Sequence, residues 1–353
     1  MKTLQSYIGR SVLLAIIGVT FLLLALDVVF SLMAELESLR GDYQFMQALK
    51  FILLTSPRRL YELIPTGTLL GCLVALGALA NNSELVVMRA AGVSLLQILW
   101  ATLRPVLVVA VAAFALGEYV APISEQVAQS SRAVALGSGQ ALHSRLGVWH
   151  REGSEFIHAN AVEPGGRLHG LTRMRYDTDG RLVQASLARS ALYQGSYWLL
   201  EDVQVTELGQ RESAVSRFDT LHWYTSLTPD LMALLTVDAE DLSVTGLWSY
   251  GGHLEKQGMD AAPYFLAFWN KVLQPLIMCA MVFIAISYVF GPLRQVTMGL
   301  RVLAGIVTGL LFRYAQEFAG TASLVYGFSP LLAAMVPVLL CGVVGWWSLR
   351  RVG

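Results

Sequence analysis

The sequence predicts an α-helical membrane protein: six transmembrane helices, with an all-β domain inserted between the third and the fourth. Three observations carry this. The 353 residues are 55% hydrophobic with a mean hydropathy of +0.55, and only 14% are charged, where soluble domains carry about 25%. Six apolar runs each reach the roughly 20 helical residues that a bilayer core requires. Between the third and fourth runs the pattern changes to short alternating segments divided by turn residues.

The predicted spans are residues 11–34, 60–80, 98–121, 264–290, 301–321 and 330–349. Lys2 and Arg10 precede the first as they would in a signal peptide, but the run is too long and lacks a small-residue cleavage pattern. It is expected to remain as a spanning helix. The stretch "YQFMQALKFILLTSPRR", residues 43–59, is amphipathic and contains Pro57. It is either an interfacial lead-in to the second span or an extension of that helix. The chain thus divides into residues 1–121, with a short helix at about 81–92; residues 122–263, a β domain with flanking connectors; and residues 264–353.

Orientation follows the Lys/Arg bias of the short connections. One side collects Lys2, Arg10, Arg89, Arg104, Arg294, Arg301, Arg350 and Arg351; the other holds Arg40, Lys50, Arg58 and Arg59. The first side is expected to be cytoplasmic, with both termini there and residues 122–263 outside. Trp346 and Trp347 ahead of Arg350 fit an interfacial anchor on the same side.

In the insert, "EFIHANAV", "GLTRMRYD", "RLVQASLAR" and "YWLLEDVQVTEL" alternate as strands do, and "EPGG", "DTDG" and "QGS" separate them as turns. Such spacing suggests a sandwich or jellyroll. The flanks, residues 120–136 and 227–258, are helical or mixed.

Chemistry is conspicuous by what is missing. The sequence contains no GxxxxGK[ST], no GxSxG and no metal-spaced cluster, so neither an enzyme nor a resident cofactor is expected. Cys72, Cys279 and Cys341 lie inside apolar runs and read as packing residues. His143, His150, His158, His169, His222 and His253 read as surface histidines of the insert. A net charge of +0 gives no reason to expect a nucleic-acid partner.

One polar connection stands apart. "NNSELVVMRAAGVS" places Asn81 to cap a short helix, Glu84 three residues on in the manner of a capping box, and Gly92 to end it. A helix this short needs something to hold it. Either it packs on its own spans, or it docks into a separate ATPase, with Glu84 and Arg89 meeting that partner and Leu85 and Met88 filling its pocket.

Within the spans, Asp27 is the costliest residue, since a carboxylate at mid-membrane costs about 2.5–3.5 kcal/mol on insertion scales. It is expected either to face a functional cavity or to bond a neighbouring helix. Arg313, Gln316 and Glu317 form a second polar patch, in which Arg313 and Glu317 are spaced to pair. Gly67–Gly71 and Gly305–Gly309 have the small-xxx-small spacing that lets helices approach closely. Arg132, just beyond the third span, is either a solvated charge or an anion-binding group.

Together these segments resemble the LptF/LptG permease family of lipopolysaccharide exporters across essentially the whole chain. The resemblance rests on "YIG" at 7–9, "SELVVMRAAG" at 83–92, "GEYVAP" at 117–122, "FWNKVLQPL" at 268–276, "FGPLRQVTMGLRV" at 290–302 and "LVYGFSP" at 324–330. It implies six spans with a periplasmic jellyroll-like domain. It also implies a coupling helix whose acidic residue, Glu84, meets the ATPase, and gates made from the first and fifth spans. The implied partners are a sister permease of the same family, a dimer of the ATPase LptB that binds the ATP, and the single-span LptC. Lipopolysaccharide is the implied substrate.

The resemblance matches Arg132 to a basic position near the cavity mouth, where an arginine fork suits phosphates. A lysine found late in the first span of some relatives is Ser31 here, with Arg40 as a substitute. Phe30 and Met33 on the first span, and Phe312, Tyr314 and Phe318 on the fifth, are the apolar candidates for acyl chains. Two rivals remain: a permease moving a lipoprotein or peptide, which would lack the "FGPLR" and "LVYGFSP" segments, and a non-transporting scaffold or sensor, which would leave the coupling-like helix unexplained.

Overall fold

The computed structural model describes residues 2–37, 43–137, 148–163, 166–209, 212–229, 232, 239–256, 260–291 and 296–352. Its elements in order are α1 (Lys2–Leu36), α2 (Phe45–Asn81), α3 (Glu84–Ala90) and α4 (Leu95–Ala115), which runs through a π-helical turn (Leu116–Val120) into α5 (Ala121–Gly137). Six strands follow: β1 (Val148–Glu152), β2 (Glu155–Glu163), β3 (Arg167–Tyr176), β4 (Leu182–Tyr193), β5 (Trp198–Leu208) and β6 (Ser213–Trp223). The chain ends with α6 (Val244–Lys256), α7 (Ala262–Val272), α8 (Gln274–Phe290), α9 (Met298–Tyr326) and α10 (Pro330–Val352).

Among the described residues, five helical segments are long and apolar enough to cross a membrane, and α7 with α8 makes a sixth span bent by 51°. The bend falls at Leu273, immediately before α8, whose first turn holds Pro275. A proline is tolerated there because the first-turn N–H has no helical partner to lose. Residues 43–59 are resolved in favour of extension: α2 begins at Phe45 and passes through both Pro57 and Pro65.

The chain separates into two compact units. The first comprises Met1–Val29, Ser56–Ala121 and Ser243–Gly353. Its most enclosed span is α2, with 67% of the apolar window buried, against 17% for α1 and 22% for the span in α9. Close approach is achieved through glycine. A Cβ on Gly71 would lie 2.5 Å from the Ile16 Cα on α1, and one on Gly305 would lie 2.4 Å from Leu73 on α2. Both small-xxx-small motifs therefore act as packing faces, and an alanine at Gly71 would meet backbone.

The second unit comprises Phe30–Thr55 and Pro122–Leu242. Its sheet is antiparallel in the order β1-β2-β3-β4-β5-β6, so each described strand pairs with its neighbours in sequence and the connectivity is a meander. The fold class expected from sequence, a helical membrane protein with an inserted all-β domain, is the one observed. Two of the expected turns are present: the Asp177 side chain accepts from the backbone N–H groups of Asp179 (2.9 Å) and Arg181 (2.8 Å), with Gly180 at a φ of +75°, and the Gln194 N–H donates to the Tyr197 carbonyl at 2.9 Å; Pro164 and Gly165 of the turn at 163–166 lie outside the described residues. The core centres on buried Trp198, whose indole N–H donates to the Leu227 carbonyl at 2.8 Å. It is filled by Ile157, Leu168, Leu171, Leu200 and Val203.

Candidate coupling helix and polar sites of the spans

α2 runs through Asn81, and α3 starts after a sharp reversal at Ser83, which has a φ of +61°. Asn81 does not cap α3, and Ser83 makes no side-chain cap bond. The expected capping box is instead found thirteen residues on, at the start of α4. There the Ser94 hydroxyl accepts from the Gln97 N–H and the Gln97 side chain accepts from the Ser94 N–H at 3.1 Å. Ser-x-x-Gln is a full capping-box sequence and was legible. At the other end of α3, the Val93 N–H donates to the Met88 carbonyl and the Gly92 N–H to the Arg89 carbonyl, at 3.1 and 3.0 Å. With Gly92 at a φ of +87° this is a complete Schellman stop, so Gly92 ends the helix as expected.

Leu85 and Met88 are buried in this chain's own apolar core. The expectation that they fill a partner's pocket is thereby corrected: they are the anchors that let a seven-residue helix exist. The outward face is Val86, Val87 and Arg89, all exposed. Glu84 is half-buried beside the hydroxyl of Tyr7 on α1.

Asn81 has a different role. Its side-chain oxygen accepts from the Arg301 guanidinium at 3.1 Å, and the same nitrogen donates to the Gly77 carbonyl at 3.2 Å. Arg301 is only 2% exposed. Counted from sequence as a cytoplasmic surface charge, it is instead a buried polar bolt between the start of α9 and the last turn of α2, one step before α3. Glu118 was also missed. From the π-helical turn its carboxylate accepts from the Val244 N–H (2.7 Å), the Thr245 N–H (3.3 Å) and the Thr245 hydroxyl (2.7 Å). An anion is thus set against the positive end of α6, giving "GEYVAP" a structural task.

Asp27 proves to be a helix–helix contact: Arg59 on α2 pairs with it at 2.8 Å. Arg313 and Glu317 are both exposed, and among the described residues no ion pair joins them. Arg132 is not a free cation. Its guanidinium bonds the Glu35 carboxylate at 2.7 Å and lies over the rings of Phe51 and Tyr43, at 5.2 and 5.9 Å. The Tyr43 hydroxyl donates to the same carboxylate oxygen at 2.8 Å. Burial, then that carboxylate, push the Tyr43 phenol up to about 12, so it remains a donor throughout the physiological range.

Phe30, Met33, Tyr314 and Phe318 are all strongly exposed, Phe318 at 78%. Phe312, at 7%, is part of the core and is unavailable to acyl chains. This follows from helical spacing, since a residue two positions from Tyr314 points to another face of α9. Arg40 lies outside the described residues.

The pattern of a docked short helix between two spans extends to the whole length. The model of the family "Lipopolysaccharide export system permease LptF/LptG" matches residues 6–351. The chain belongs to the LptF/LptG permease family. It is 34% identical to the lipopolysaccharide export system permease protein LptG of Haemophilus influenzae, over 99% of both chains. It is 32% identical to the LptG of Escherichia coli K12, over 99% of this chain and 98% of that one. Family members are permease subunits.

Proposed function

We propose that this chain is a membrane subunit of an ATP-driven exporter that takes lipopolysaccharide from the outer leaflet of the bacterial inner membrane and passes it to a periplasmic bridge. The observation that carries the proposal is the family match from residue 6 to residue 351. The rival permease and scaffold readings give no account of that extent.

In this reading the termini and α3 are cytoplasmic, the β domain is periplasmic, and the chain itself performs no covalent chemistry. ATP is bound by a dimer of LptB, the sister permease is LptF, and LptC joins as a single-span partner. Glu84, Arg89, Val86 and Val87 form the face of α3 that an ATPase groove receives. Leu85 and Met88 transmit its displacement, because they tie α3 to the core from which α2 and α4 also run. Apolar Phe30, Met33, Tyr314 and Phe318 suit acyl chains; an anionic headgroup at Arg132 must displace Glu35.

The test is a detergent pull-down of tagged wild-type and Glu84→Ala protein, with co-purified chains identified by mass spectrometry. The wild type should bring down an ATPase and a second six-span protein, and the variant should lose the ATPase while keeping the sister. An intact wild type that brings down neither sinks the proposal.

A further inference from the structure

Away from the surfaces used above, α8 and α10 diverge to leave a groove of about 370 Å³, lined by residues that include Phe283, Val338, Leu339, Gly342, Trp346 and Arg350. Two glycines shape it. At Gly345 the helices touch, since a Cβ there would lie 2.9 Å from that of Phe283. At Gly342, one turn away, an added Cβ would meet nothing within 4 Å. The lining is apolar except at one end, where the span closes with Arg350. That guanidinium lies 5.2 Å over the Trp346 ring. Among the described residues no carboxylate pairs with it. A cation held against an aromatic face but left without an anion is poised for one.

Length and charge identify the occupant. From Val338 to Arg350 the groove follows α10 for about 18 Å at 1.5 Å per residue, close to one leaflet of a roughly 30 Å hydrocarbon core. An apolar groove of that length with a cation at its end matches an extended hydrocarbon chain that carries an anion at its head. We infer that this groove binds one acyl chain of an anionic phospholipid from the leaflet at the chain's C-terminal end, with the lipid phosphate on Arg350.

The experiment is native mass spectrometry of the delipidated full-length protein, titrated with phosphatidylglycerol or with phosphatidylcholine of the same chains. Wild type should hold one tightly bound lipid and prefer phosphatidylglycerol. Arg350→Gln should lower phosphatidylglycerol affinity about fivefold, the value of one juxtamembrane arginine at an anionic leaflet, and lower phosphatidylcholine affinity less, because the choline cation already offsets that lipid's phosphate. Gly342→Leu, which enters open space and so leaves the packing intact, should remove the tight site for both lipids. Equal retention of phosphatidylglycerol by wild type and both variants overturns the assignment, as does a wild type indifferent to headgroup. A Gly342→Leu protein that keeps phosphatidylglycerol at wild-type affinity overturns it too.

Discussion

Leu85→Ala should unlatch α3 without unfolding the protein. The helix is seven residues long, where isolated helices below about 12–15 residues are marginal in water. Its order must therefore come from its two anchors, Leu85 and Met88, at 2% and 7% exposure. Each buried side chain of this size contributes about 1.5–3 kcal/mol by area, and truncating a leucine in a packed site costs about 2–5 kcal/mol once the residual cavity is counted. Taking about 2 kcal/mol, the lower bound, the locally open fraction of the segment rises about thirtyfold.

Hydrogen exchange read by mass spectrometry on peptides covering residues 84–91 of the full-length protein measures this directly. Protection should fall about thirtyfold in Leu85→Ala. It should stay within about twofold of wild type in Val87→Ala, since Val87 is 66% exposed and alanine is the better helix former. If Val87→Ala loosens the segment as much as Leu85→Ala, or if Leu85→Ala leaves exchange unchanged, the assignment of inward and outward faces is refuted.

Ser94→Ala should destabilise the start of α4 by about 1 kcal/mol, the usual worth of an N-cap, seen as a lower midpoint in chemical or thermal unfolding; an unchanged midpoint argues against the Ser94–Gln97 box. A double-mutant cycle of Glu35→Gln and Arg132→Gln should show a coupling of roughly 1 kcal/mol, as a partly buried, geometrically good pair warrants, whereas additive effects would mean the two groups are independent. In the β domain, burial pulls the Glu152 carboxyl upward, but hydrogen bonds from the Ser226 and Thr225 hydroxyls and the Ser226 N–H outweigh it and leave it below the ordinary 4.5. A depressed carboxyl stabilises the fold above its unfolded value and loses that contribution as pH falls through the folded one. The stability gap between wild type and Glu152→Gln should therefore be full at neutral pH and close below pH 4.5. Burial lowers the His158 imidazole below 6.5, so His158 should begin to destabilise the domain already as the pH drops below that.

The spans, the long insert and the turns at 177–180 and 194–196 were legible because each rests on a signal intrinsic to a few adjacent residues: an apolar run, an Asp-Gly pair, a strict alternation. β6 was not, since Ser213 to Thr220 are all exposed, and a strand with no buried face has no alternation to read. The start of α3 was misread for a related reason. Asn81-x-x-Glu84 and Ser94-x-x-Gln97 both satisfy the capping spacing, but α2 continues through the first Asn because Arg301, 220 residues away in sequence, takes its side chain. For Leu85 and Met88 two readings stood open, an inward face packed on the spans and an outward one filling a partner's pocket. Their i, i+3 spacing was equally compatible with an inward face, and only burial decides.

Inside the spans most polar residues are poor pointers to function, because the membrane forces them to find partners; Arg313 and Glu317, exposed and not paired with each other, are the exception. Asp27 has Arg59, Tyr288 has Thr308 at 2.8 Å, and Gln274 reaches the Tyr61 carbonyl at 3.2 Å. An ionisable group without a partner would expose its full desolvation penalty to hydrocarbon, so each such pair is first a condition for stable insertion. Exposure is no better a pointer, for Phe30, Met33, Tyr314 and Phe318 look as lipid-facing residues must. What does discriminate is a departure from both expectations. Arg350 is a cation at the membrane boundary stacked on an aromatic ring with no anion among the described residues, and Gly342 leaves a space where any larger residue would have filled the helix contact. Two such departures meeting in one groove carry more weight than the longer roll of paired charges, because the packing of this chain leaves both the space and the cation open.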